Sequence, residues 1–152
     1  MTDSWRMAIT ATRHCLTGCA LGEIAGMVLS TWWGWGNAAN IALSIVLAFA
    51  FGYTLTYTGL RRAGADCRTA VRAALASDTI SILTMELVDN VFILLVPGAI
   101  SAGLGDALFW WSLVVSLSVA FVAAVPVNQW LMERGKGHAV VHQLHEGHAH
   151  HR

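Results

Sequence analysis

Near the start of the chain, Cys15, Cys19 and Glu23 recur at every fourth position. At 3.6 residues per turn they share one face of a helix, about 6 Å apart in rise. Further along, Met85, Glu86, Asp89 and Asn90 gather, with Asp78 two turns earlier. Glu86 and Asp89, three residues apart, face the same way on a helix. Thiols and thioethers are soft ligands suited to Cu(I), Zn(II) and related ions, whereas carboxylates suit harder cations. The pattern therefore points to a transition-metal ion (Cu, Zn or Ni) held by Cys15, Cys19, Glu23, Glu86 and Asp89. His14, Asp78, Met85 and Asn90 stand in support. A plainer account is that protonated carboxyls bond to Asn and Thr while buried cysteines pack as small hydrophobes.

Those residues need elements to position them, and the composition says which. Of 152 residues, 56% are apolar and 12% charged, with nine basic and nine acidic side chains. A soluble domain carries about twice that charged fraction. The hydrophobicity excludes disorder, and the lack of a basic excess excludes a nucleic-acid binder. Four apolar stretches run from about Ala8 to Trp33, Ile41 to Leu60, Ala76 to Val96 and Ala107 to Met132. Each has the roughly 20 residues that cross a hydrocarbon core. The expected fold is an all-α membrane protein with four transmembrane helices. Residues 1–135 form that domain and 136–152 a His-rich tail.

Charge sets the expected orientation. Arg6, Arg13, Arg61, Arg62, Arg68, Arg72, Arg134, Lys136 and Arg152 fall on one side of the four spans, and the loops 34–40 and 97–106 carry no basic residue. The positive-inside rule then makes both termini cytoplasmic. Trp32, Trp33, Trp35, Trp110 and Trp111 mark the outer interface, and Trp5 and Trp130 the inner one.

In this frame the acids lie inside the membrane. An unpaired charge at the bilayer centre costs about 2.5–3.5 kcal/mol, so Glu23, Glu86 and Asp89 together call for protons, mutual bonding or a cation. Gly18, Gly22 and Gly26 form a second row beside the thiols, shaped for close approach of another helix. A shift of 63 residues aligns Cys15 with Asp78, Glu23 with Glu86 and Gly26 with Asp89. A duplication would make two parallel helical hairpins, with the first and third spans facing each other and the glutamates at one depth. The hydroxyls of Tyr53, Thr54, Thr56, Tyr57 and Thr58 either line this cavity or serve only in packing. Pro126 frees the carbonyl of Val122 and kinks the fourth span, with Asn128 placed to satisfy the freed group.

In the tail, His138, His142 and His145 share one face of a short helix, followed by His148, His150 and His151. These imidazoles can bind Zn, Ni or Cu on the cytoplasmic side, or merely change charge with pH. The stretch Leu16-Thr17-Gly18-Cys19 looks like a lipoprotein cleavage box, but Arg13-His14 interrupts the apolar core that a signal peptide needs. With Cys67 in a cytoplasmic loop, the three cysteines do not suggest a disulfide framework.

Several short motifs occur together: His14 to Glu23, Phe51-Gly52-Tyr53, Ser77-Asp78-Thr79, Met85 to Asn90, Pro126 to Trp130 and Arg134 to His138. From about Ala11 to His142 the chain resembles a bacterial family of small integral membrane proteins, domain of unknown function 4396. The resemblance implies a bacterial cytoplasmic membrane and a native tail to at least His142; it lends no activity. Function thus rests on the residues. The first expectation is a transition-metal transporter or membrane metal-binding protein. Its four spans enclose so little that transport calls for a homo-oligomer, which the glycine row could support. A proton-titrating or structural subunit beside a membrane partner protein is a second reading. A thiol redox enzyme, with His14 as base to Cys15 and Cys19, is a third, weakened by the absence of C-x-x-C spacing.

Overall fold

The computed structural model describes residues 3–134, which form four long helices. These are α1 (Asp3–Trp33), α2 (Asn37–Arg62), α3 (Cys67–Leu95) and α4 (Ala107–Glu133), with a 3-10 turn at Ala99–Ser101 before α4. The tail histidines His138, His142, His145, His148, His150 and His151 lie outside the described residues. Ala8–Trp33, Asn37–Arg62 and Ala107–Leu131 are long and apolar enough to cross a membrane. Their bounds match the first, second and fourth apolar stretches. α3, which carries Asp78, Glu86 and Asp89, does not meet that measure.

Glycine ends the first two helices by the same device. Beyond α1, Gly34 takes φ +68° and beyond α2 Gly64 takes φ +92°, a left-handed conformation that glycine adopts without steric cost. Trp35 N–H then reaches back to Ser30 O at 2.8 Å, and Ala65 N–H to Leu60 O at 3.0 Å. These six-to-one bonds satisfy carbonyls that the helix end would leave open. α3 starts at Asp66, whose carboxylate accepts from Thr69 N–H at 3.0 Å. That bond holds the Asp66 pKa below its ordinary value. The cap is therefore present above the usual Asp range and is lost as pH falls through the lowered pKa.

The tightest packing is between α1 and α2. Gly18 lies against the backbone of Gly52, Gly22 against Ala48 and Gly26 against Ser44. As α1 advances α2 retreats, so the pair is antiparallel, joined by two small-residue rows at four-residue spacing. The glycine row is thus occupied within the chain and does not face outward toward a second copy; the expected role in a homo-oligomer interface is corrected. Its spacing permits a close helix neighbour without saying which helix that is.

α4 stays helical through Pro126. Asn128 does not serve the carbonyl that the proline frees. It is buried and bonds to two other helices instead. The hydroxyls of α2 divide between the two expected roles: Tyr53 meets Thr79 of α3 at 2.8 Å and Thr54 and Thr58 donate to carbonyls of their own helix, whereas Thr56 stands against the Asp78 carboxyl.

The glycine contacts yield a paired prediction. A Cβ at Gly22 would fall against the Ala48 backbone, so Gly22→Leu should lower stability by about 1–3 kcal/mol or more. Gly59 of the same helix pair has nothing within 4 Å, so Gly59→Ala should raise stability by about 0.5–1 kcal/mol through helix propensity. Thermal unfolding in mild detergent measures both, and equal shifts would contradict this packing.

Candidate functional site

Three pairs of side chains join α1 to α3 along the middle of the bundle. In the first, Cys15 donates to Asp78 Oδ1, with Sγ at 3.8 Å, and Ser77 donates to the same oxygen at 2.7 Å. In the second, Cys19 Sγ lies 4.0 Å from Met85 Sδ and adjoins the Glu86 carboxyl. In the third, Glu23 faces Asp89, and Ser116 of α4 also neighbours the Asp89 carboxyl. Both helices therefore advance in the same direction, as the expected facing of the first and third spans requires.

The 63-residue shift captures part of the register. Cys15 meets Asp78 at that offset and adjoins Ser81 at 66, and Cys19 meets Met85 at 66. Glu23 lies against Asp89 at 66 and near Glu86 at 63. The two offsets differ by about one helical turn, so a side chain of α1 meets two successive turns of α3.

Burial sorts the expected residues. Cys15, Cys19, Asp78, Met85, Glu86 and Asp89 are buried, and Glu23 and Asn90 partly so. His14 is exposed, although Cys15 beside it is buried. One residue turns a helix by about 100°, which exposes the His14 side chain although it still neighbours Asp78. Asn90 bonds back to Glu86 O at 2.8 Å, so it serves its own helix first.

Several of the carboxyl oxygens lack donors. Among the described residues, Asp78 Oδ2, Glu86 Oε2 and both Asp89 oxygens are buried without a hydrogen-bond partner. All eight described Arg and His side chains (Arg6, Arg13, His14, Arg61, Arg62, Arg68, Arg72 and Arg134) are exposed. No cationic side chain within 3–134 therefore enters the core to offset these acids. A cavity of about 30 Å³ adjoins Glu23, Asn90, Ser44 and Asn40 and continues to the exposed Asn37 where α2 begins. It has room for one or two waters or a stripped ion and no organic substrate.

Two features escaped the sequence reading. Asn128 of α4 donates to Thr12 Oγ1 at 2.7 Å and to Ser81 Oγ at 2.9 Å, tying three helices together. Ser81 in turn adjoins Cys15. Ser116 stands beside Asp89. The available signal was the four-residue row Ser112, Ser116, Ala120, Ala124, Asn128, all buried, which matches the glycine row of α1 in its spacing. Among the described residues no three His, Cys, Asp or Glu side chains form a group able to hold a metal. Cys15 and Cys19 instead turn to different partners, so a four-ligand cage of the zinc type is not gathered there.

A family model described as Domain of unknown function (DUF4396) matches residues 4–137. The chain belongs to that family. The match takes in all four helices and stops one residue before His138. No curated protein and no solved structure matches the chain. The family description carries no activity, so the geometry must carry the argument.

Asn128→Ala should leave Thr12 and Ser81 without their shared donor and cost about 1–3 kcal/mol. Unfolding in detergent measures the loss, and wild-type stability in the variant would mean the bridge contributes nothing.

Proposed function

We propose that this protein binds a cation inside the bilayer and carries it across, with a transition-metal ion as cargo. The observation that carries this reading is the set of unpartnered carboxyl oxygens of Glu86 and Asp89, which neighbour Glu23, itself part of the lining of a water-sized cavity. Buried carboxyls without a basic partner favour whatever positive charge can reach them. A cavity of about 30 Å³ admits an ion or a proton-bearing water. The few ligands at each level suit a carried ion, which must be able to leave as well as enter.

This reading takes α3 as the fourth span. Its acids Asp78, Glu86 and Asp89 point inward, while Leu83, Leu87, Val91 and Leu94 form an exposed apolar face. Averaged hydropathy penalises such a helix because inward acids and outward leucines are counted together. At about 1.5 Å per residue, its 29 residues are long enough to span. Both termini then lie in the cytoplasm of a bacterial cell, with all described basic side chains on the inner side. One bundle encloses little space, so transport would involve a homo-oligomer formed on the apolar outer faces.

Glu23 facing Asp89 also favours a second reading, a proton-titrating subunit. Two carboxyls can bond each other only by sharing a proton.

Flux into proteoliposomes separates the readings, with Cu, Zn or Ni ions supplied outside and a pH-sensitive dye within. Metal entry should fall at least tenfold in Glu86→Gln and in Asp89→Asn. Proton flux without metal flux, lost in the same variants, would support the second reading. Wild-type behaviour in both variants would sink the two together.

A further inference from the structure

We propose that Cys19, Met85 and Glu86 form a three-coordinate site for a soft monovalent metal ion, Cu(I). This rests on the cation reading above and names the ion class. Cys19 Sγ and Met85 Sδ lie 4.0 Å apart, on different helices. Two metal–sulfur bonds of about 2.3 Å meeting at a trigonal centre hold their sulfurs about 4.0 Å apart. The sulfurs thus already stand at the spacing that a shared ion needs. The Glu86 carboxyl adjoins the Cys19 thiol, and this side chain is only 4% exposed with Oε2 lacking a donor. Inert packing accounts for two sulfurs in contact. It does not account for the carboxyl at the Cys19 thiol, whose Oε2 stays buried with no partner.

The ligand set selects the ion. Thiolate and thioether favour Cu(I), whereas zinc calls for four tetrahedral ligands that the described residues do not gather. Cys19 and Met85 are 1% and 0% exposed, so water cannot complete a larger shell. On binding, the S–H bond of Cys19 breaks and a sulfur–metal bond forms. The proton leaves to a carboxylate of the Glu23–Asp89 pair or to cavity water. The ion enters and leaves as Cu(I), so no electron is transferred. Cys15 with Asp78 lies one turn away on one side, and Glu23 with Asp89 one turn away on the other, as stations for the ion or its proton.

The test loads the full-length protein, purified without metal-affinity chromatography, with Cu(I) under anaerobic reducing conditions. Competition with a Cu(I)-specific chelator gives affinity, and X-ray absorption gives the neighbours of the ion. One ion per chain with two sulfur neighbours is expected. Cys19→Ser and Met85→Leu should each weaken it at least tenfold and remove one sulfur neighbour, whereas Cys67→Ser should change neither. Met85→Leu conserves volume, so a wild-type melting curve in that variant keeps the test decisive even if Cys19→Ser does not fold. Nitrogen neighbours alone, or binding unchanged in Met85→Leu, would overturn the proposal and confine Cu(I) to imidazoles. If sulfur neighbours are absent while Glu86→Gln still abolishes flux of another cation, only the Cu(I) assignment fails. If Glu86→Gln abolishes nothing, the broader reading fails with it.

Discussion

Carboxyl groups buried among apolar helices, with every described Arg side chain exposed, are the constraint on which the rest of this structure turns. Asp78, Glu86 and Asp89 sit on one helix and are each no more than 4% exposed. In a low dielectric an uncompensated charge of this kind is costly, and its energy is lowered only by a proton, a cation or several donors. The described helices bring donors to only some of these oxygens. Ser77 and Cys15 donate to Asp78 Oδ1, while Asn128 serves Thr12 and Ser81, and Asn90 serves its own backbone. Asp78 Oδ2, Glu86 Oε2 and both Asp89 oxygens are left buried without a partner.

The glycine row makes that arrangement possible. With Gly18, Gly22 and Gly26 against Gly52, Ala48 and Ser44, α1 and α2 touch backbone to backbone. The face of α1 that carries Cys15 and Cys19 lies beside this seam and is thereby aimed at α3. Small residues fix the rotation of α1 about its axis, and that rotation decides which polar groups meet. A side chain added to the row would both loosen the pair and turn the thiols away from Asp78 and Met85. Fold and site are coupled through one helix.

Much of this was legible in the sequence because periodicity reports faces. The three helices apolar enough to span were marked by length and hydropathy, and the rows Cys15–Cys19–Glu23 and Gly18–Gly22–Gly26 were marked by four-residue spacing. The partner of each face was not legible. The glycines could have served a second copy of the chain but serve α2, and Asn128 could have served its own helix but bridges α1 and α3. Side-chain reach and crossing angle decide such partners, and neither is encoded locally. Polarity misled in two opposite ways. α4 looked plain although Ser116 and Asn128 face inward, and α3 looks too polar to span when its faces are averaged. His14 shared the motif of the thiols but not their side of the helix.

The way each side chain of α1 meets two successive turns of α3 has a chemical consequence. Cys15 finds Asp78 and Ser81, Cys19 finds the Met85 thioether and the Glu86 carboxyl, and Glu23 finds Asp89 with Glu86 nearby. Each level thus pairs unlike or differently placed ligands: thiol with carboxyl, thiol with thioether and carboxyl, then carboxyl with carboxyl. A soft ion favours the middle level and a proton favours the last. On the proposed reading, holding the two preferences one helical turn apart would let an ion and the proton it displaces occupy separate levels of the same bundle. A single deep cage would bind an ion more firmly, but it would offer no neighbouring level to receive the proton and no easier position for the ion on its way out.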